Sequence, residues 1–244
     1  SRLSPYLSWG NLSIKYVISR LKKKWDETGK NINFSGFYNR LRWRDHFIQK
    51  FESQPSIEFQ NINSGYDNFP FRDDSSSEID LENWANCKSG FLLVDASMKS
   101  LIETGYVNFR MRAMLMSFAS YHLWLDWRAS GQILAKFFTD YDPGIHWPQV
   151  QMQSGTTGIN TVRMYNPIKQ GIDQDPNATF IRKWVPELGH LSTAEIHKVG
   201  TENFNAVNFE THYPRPVVDL AKAGREAREK VWAVRRLHGF KSQA

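Results

Sequence analysis

The sequence predicts a mainly α-helical chain. Three observations carry this: apolar residues recur at helical spacing in most segments, glycine or proline closes these segments, and alternating strand-like runs are almost absent. The 244 residues suffice for one large domain with a substantial core, and the expected organisation is a single helical domain over 1–244.

Taken in order, "SIKYVISRLKKKWDETGK" sets Ile14, Val17, Ile18 and Leu21 on one face, with Gly29 as its stop. "SGFYNRLRWRDHFIQKFESQP" follows with Ser35 as the expected N-cap, Phe37, Leu41, Phe47 and Phe51 as a stripe, and Pro55 beyond its end. Residues 53–80 are rich in Ser, Asn, Asp and Gly and read as a long loop, a kind of segment that usually serves function. "DLENWANCKSG" and "LVDASMKSLIETG" are two short helices closed by glycines.

Gly105 to Arg128 is expected to be the longest and most buried helix, because Ala113–Leu125 holds no Lys, Arg, Asp or Glu. This run is shorter than the 18–20 apolar residues a membrane span needs. "SGQILAKFFTDYDPG" continues helical to a turn at "DYDPG". Residues 143–177, rich in Gly, Pro and Gln, read as functional loop, "ATFIRKWVPEL" as a short helix, and "VVDLAKAGREAREKVWAVRRL" as a final basic amphipathic helix.

Net charge is +6, which suits a polyanionic partner without requiring one. The one cysteine, Cys87, excludes an intrachain disulfide framework and a multi-cysteine metal site, and points to a reducing, cytoplasmic setting. No GxSxG, HExxH or P-loop occurs, and "GTTG" at 155–158 lacks the lysine a P-loop needs. Asp140 and Asp142 form either a plain helix-end turn or half of a metal site, and no third acid follows at ligand spacing. A buried Arg110 or Arg112 would need a carboxylate, and these two aspartates end the next helix.

Several stretches together resemble the flavin-binding half of the photolyase/cryptochrome family, of an atypical bacterial type. They are "SRLSPYLSWGNLS" (1–13), "FYNRLRWRDHF" (37–47), "GFLLVDASMKSLIETGYVNFRMRAMLMSFASYHLWLDWR" (90–128), "FFTDYDPG" (137–144), "RMYNPIKQGIDQDPNATFIRKWVPEL" (163–188) and "YPRPVVD" (213–219). The resemblance implies an all-helical FAD-binding domain. Ser1, Arg2, Leu3 and Ser4 would then hold the FAD pyrophosphate, and hydroxyls with an arginine suit a diphosphate. Arg44 and Asn108 would lie near the flavin, Arg112 and Asp140 would pair against its ring system, and Asp142 would face the ring's polar edge. Trp127 matches the middle of the family's electron-transfer tryptophans and Trp147 the inner one, with Trp124 and Trp84 as substitutes for the outer one. Trp43 matches the aromatic wall against which a flipped lesion stacks.

The family's function is light-driven electron transfer from reduced FAD to a pyrimidine dimer in single- or double-stranded DNA. This sequence departs from the repair pattern at four places. Arg40 stands where the active-site glutamate is expected, Phe109 where asparagine is, Ala113 where methionine is, and His146 nearest the asparagine beside the flavin's reactive nitrogen. A guanidinium cannot give up a proton as a carboxylic acid can. The alternative reading is therefore a cryptochrome-like blue-light photoreceptor without repair. The family's N-terminal α/β antenna domain is expected to lie outside this chain, and no metal is implied.

Overall fold

Helices joined by turns make up the chain, and no strand occurs among the residues that this computed structural model describes, which are 2–29, 32–158, 162–201 and 213–236. Short α1 (Ser4–Ser8) leads to α2 (Ile14–Thr28) and α3 (Ile32–Ser53). Two 3-10 turns, Pro55–Glu58 and Ser64–Tyr66, precede α4 (Ser75–Ala85), α5 (Leu92–Thr104) and α6 (Phe109–Ser117). A π-helical turn, Phe118–His122, extends α6, and then come α7 (Trp127–Phe137), α8 (Pro143–Ser154) and α9 (Pro167–Gln174). The chain closes through α10 (Thr179–Trp184), α11 (Thr193–Ile196) and α12 (Leu220–Arg236).

Side-chain caps start most of these helices by accepting an otherwise orphaned N–H. Ser13 accepts from the Tyr16 amide at 3.1 Å, Asp74 from Ser77 at 2.8 Å, and Asp126 from Arg128 at 2.8 Å. Helix α5 is buried nearly all round and forms the centre, packed against α4, α6, α9 and α10. Its Asp95 is fully buried and accepts hydrogen bonds from the Ser89 amide (2.9 Å) and hydroxyl (2.6 Å), the Gly90 amide (3.2 Å) and the Tyr213 hydroxyl. Four donors offset the burial that pushes this carboxyl upward, and they pin the segment after Tyr213 to the core. Gly90 allows the pinning: a Cβ there would collide with the Arg215–Pro216 backbone.

Ala113–Leu125 is buried throughout, as its lack of charge predicts. It is not part of one long helix, however. The path breaks at Trp124, which takes a left-handed φ of 56°, and Asp126 then caps a new helix. Among the described residues the longest helix is α3, whose 22 residues from Ile32 to Ser53 place Ser35 inside it rather than at its cap. The 53–80 segment is a loop only in part. Its two 3-10 turns bury Ile57 and Tyr66 completely. Residues 143–177 also differ from the loop expected: Asp142 caps α8, Pro143 takes its first turn, and α9 lies within the same stretch. Pro148, inside α8, is what hid this helix from a reading by composition.

No helix among the described residues is long and apolar enough to cross a membrane. Nor do they hold a cluster of three metal-ligating side chains, so Asp140 and Asp142 form no such site.

Candidate functional site

Where α6, α7 and α8 meet the turn at 138–142, an apolar cleft opens with about 570 Å³ of empty space. Its walls are Phe109, Ala113 and Met116 from α6, Leu134 from α7, and Ile145 and Val150 from α8. A second lobe of about 840 Å³, floored by α1 and α3, shares Phe109, Arg112, Asp140, Asp142 and Ile145 with the first.

Arg112 stands at the junction. Its Nε donates to the Val107 carbonyl at 2.8 Å and its Nη2 to Asp140 Oδ2 at 2.9 Å, while its guanidinium carbon lies 4.1 Å from the centre of the Phe138 ring. The Asp140 side chain is only 3% exposed, so the pair has left most of its water behind. A second pair runs parallel: Arg44 on α3 donates to Asp142 Oδ2 at 3.0 Å, and the other oxygen of Asp142 accepts the Gly144 amide at 3.1 Å. Each arginine thus ties a helix to the 138–142 turn, and the turn is further held by Ser8 Oγ donating to the Tyr141 carbonyl (2.6 Å) and Trp9 Nε1 to the Thr139 carbonyl (2.7 Å).

Among the described residues, Asp140 Oδ1 and Gln149 Oε1 are buried without a hydrogen-bond partner. Apolar walls beside a neighbouring lobe lined by arginines fit a ligand with an apolar ring system and an anionic tail. Leu3, Ser4 and Arg40 line the second lobe, and Arg40 makes no ion pair among the described residues.

His146 borders the first lobe. Its Nε2 lies 2.9 Å from the Gly131 carbonyl oxygen, and Phe138, Tyr141 and Trp147 surround its ring at 6.0, 5.4 and 4.8 Å between centroids. Burial pushes its pKa down to about 4, so it is neutral at pH 7. Beyond it lie Trp147 and Trp127, both buried, with ring centroids 6.0 Å apart.

Of the residues singled out from sequence, Leu3, Ser4, Arg40, Arg44, Arg112, Asp140, Asp142 and His146 border the two lobes. Arg2 lies over the ring of Tyr106 at 5.8 Å, next to the second lobe. Trp127 and Trp147 form the aromatic layer behind His146. Trp43 is 51% exposed on α3, one turn beyond Arg40 and outside the cleft. Asn108 stands apart: its side-chain oxygen caps α6 through the Met111 amide at 3.1 Å, and it borders a separate cleft with Gln170 and Gln174. Trp84 and Trp124 are buried, at 0% and 4% exposure, so neither surfaces as an outer tryptophan would. Ser1 lies outside the described residues.

Sequence reasoning missed Gln149 and Gln153. The signal was present as a stripe, Asp142, Ile145/His146, Gln149/Val150 and Gln153, at spacings of three and four. It becomes visible only when residues 143–154 are read as helix.

Comparison with known proteins agrees with this architecture. A family model described as the FAD binding domain of DNA photolyase matches residues 37–233. A deoxyribodipyrimidine photo-lyase of Alkalihalophilus pseudofirmus is 29% identical over 93% of this chain and 48% of its own length. A cryptochrome DASH of Synechocystis is 30% identical over 95% of this chain and 48% of its own. Among solved structures, a bacterial class III photolyase from Agrobacterium tumefaciens superposes with a TM-score of 0.84 at 29% identity, over 97% of this chain and 50% of that one. The chain therefore spans about half the length of the curated relatives it matches.

Proposed function

Because the chain belongs to the family of FAD-binding domains of DNA photolyase, we propose that it holds FAD in the two-lobed cleft and acts by light-driven electron transfer to a pyrimidine dimer in DNA. The observation that carries this reading is the buried Arg112–Asp140 pair at 2.9 Å, set where the two lobes of the cleft meet.

Bound flavin supplies the photochemistry: it absorbs blue light and, when reduced, gives up one electron. The chain's own residues do the rest. Phe109, Met116, Leu134 and Phe138 exclude water from the slot. Arg112 and Asp140 set a fixed dipole at its edge, which biases any ligand charge without reorganising. Arg2 and Ser4 offer a cation and a hydroxyl at the second lobe for a diphosphate. Trp147 and Trp127, in near contact, lead inward from His146 and provide a route by which the chain resupplies electrons.

On the outer face, Trp43 supplies an exposed aromatic platform for a base turned out of a DNA strand. Arg40, one turn before it, holds phosphate or lesion charge but donates no proton. That last point favours a second reading, a photoreceptor without repair, and relatives named cryptochrome DASH are compatible with it.

The deciding experiment illuminates the reduced, FAD-loaded protein with blue light together with dimer-containing single- and double-stranded DNA. Loss of dimers is expected. Unchanged dimer content with intact flavin photoreduction would leave the photoreceptor reading in place, and failure to bind FAD would overturn both.

A further inference from the structure

The final helix is strongly basic, and the two-lobed cleft does not use it. Over Leu220–Arg236, α12 holds six Lys and Arg against two Glu, so this one helix carries +4 of the chain's net +6. It packs on the Phe118–His122 and Ser64–Tyr66 turns, and none of its residues borders either lobe.

Helical geometry sorts these charges. At 3.6 residues per turn, the buried stripe of Ala223, Gly224, Ala227, Val231 and Val234 divides the other side chains into two flanks. One flank carries Arg225, Arg228, Trp232, Arg235 and Arg236, and no acid. The other carries Lys222, Glu226, Glu229 and Lys230, whose charges cancel. Every arginine of α12 thus lies on one flank and every lysine on the other. Solubility is served by interspersed charge of both signs, so this segregation needs another reason.

Arg225, Arg228 and Arg236 are exposed and make no ion pair among the described residues. Arg235 is held in place: its Nε donates to the Tyr66 hydroxyl at 2.8 Å, and its guanidinium carbon lies 5.5 Å from the centre of the Trp232 ring. Trp232 itself is 44% exposed. Beside this flank runs an open groove lined by Arg228, Arg215, Asn166 and His122. The one acid lining it, Asp219, already accepts the Ala221 and Lys222 amides at 2.8 and 3.0 Å.

Guanidinium forks match phosphate oxygens in pairs, which ammonium groups do not. The flank spans about 16 Å of helix axis from Arg225 to Arg236, enough for several successive phosphates. An exposed indole among the arginines suits a stacked base, and base faces are open only where a strand is unpaired. A bilayer fits less well, because the apolar stripe of α12 is buried with Tyr66, Phe69, Tyr121 and Trp124 and leaves no apolar face to insert.

We propose that the arginine flank of α12 binds the sugar–phosphate chain of an unpaired nucleic-acid strand, DNA or RNA, with a base stacked on Trp232. This surface is apart from the cleft, and it stands whether or not the cleft holds flavin or a lesion.

Fluorescence anisotropy with labelled oligothymidylate and oligouridylate, neither containing a dimer, tests this at several salt concentrations. Arg225→Gln/Arg228→Gln is expected to reduce the slope of log affinity against log salt by about 1.4, at about 0.7 for each phosphate contact on a single strand. Trp232→Ala is expected to lose roughly 5- to 150-fold in affinity, and Trp232→Phe to keep part of it. Lys222→Gln/Lys230→Gln removes the same charge from the other flank and is expected to change the slope far less. Glutamine preserves helix propensity, and circular dichroism with thermal melting checks the fold of each variant. Equal losses in the two double variants would overturn the proposal by reducing it to net charge, and so would wild-type binding of both strands by the arginine variant. Unchanged affinity in Trp232→Ala would overturn the stacked base. Dependence on the arginine flank for phosphatidylserine vesicles, but for neither oligonucleotide, would overturn the proposal in favour of a membrane surface. Flank-dependent binding of one oligonucleotide more tightly than the other supports it and identifies the kind of strand.

Discussion

The indole rings of Trp127 and Trp147 meet edge to face with centroids 6.0 Å apart, and each N–H has its own acceptor. Trp127 Nε1 donates to Asn61 Oδ1 at 2.9 Å, and Trp147 Nε1 to the Tyr141 hydroxyl at 3.2 Å. Asn61 belongs to the 53–80 segment, so that segment orients the inner tryptophan layer although it borders neither lobe.

If Trp127 relays electrons, Trp127→Phe should abolish most light-driven flavin reduction while leaving FAD affinity close to that of the wild type. It should also lower stability by about 1–3 kcal/mol, because the buried Asn61 oxygen loses its donor. Absorbance under continuous blue light and urea unfolding read the two effects separately. Photoreduction at the wild-type rate would remove Trp127 from the route.

Arg112→Leu should be the most damaging single change at the cleft. It strands the Asp140 carboxylate, 3% exposed, without its cation, at a cost on the order of 3–5 kcal/mol. Asp140→Asn keeps an acceptor for Arg112 and should cost less. Chemical denaturation ranks the two variants, and equal stability in both would show the pair to be energetically idle.

Trp43→Ala and Arg40→Ala should weaken DNA binding in distinguishable ways. Loss of the Trp43 stacking surface should reduce affinity for dimer-containing DNA by roughly 1–3 kcal/mol and leave undamaged duplex unaffected. Loss of Arg40 should weaken both substrates alike and reduce the slope of log affinity against log salt by about 1. Fluorescence anisotropy at several salt concentrations measures both, and a Trp43 effect equal on damaged and undamaged DNA would count against stacking.

Acid should destabilise the flavin-free protein through two buried histidines. Burial holds His122 and His146 each at about 4, against an ordinary value of 6.5, so between these pH values the unfolded chain binds more protons than the folded one. Their contribution is fully present above pH 6.5 and is lost as the pH falls toward 4, at up to about 3 kcal/mol for each. Thermal melts at pH 4.5 and 7 should differ accordingly, and a flat profile across that window would contradict the burial of both rings.

Much of the site was legible because it depends on local residue chemistry. That a buried Arg110 or Arg112 needs a carboxylate followed from the cost of an unpaired buried cation, the resemblance named Arg112 and Asp140, and the structure joins these two at 2.9 Å. Burial of Ala113–Leu125 followed from its lack of charge. Gln149, by contrast, was hidden because Pro148 disguised a helix as a loop.

By itself, then, the sequence determined the helical class, the apolar central run and the set of charged and aromatic side chains available for a flavin site. These follow from periodicity and desolvation, which act on neighbours along the chain. Only the tertiary structure decided that the central run breaks at Trp124, that Asn108 borders a cleft with Gln170 and Gln174 apart from the two lobes, and that His146 Nε2 meets the Gly131 carbonyl. Those outcomes depend on partners distant in sequence, such as the Gly131 carbonyl 15 residues away on another helix, and no local pattern specifies them.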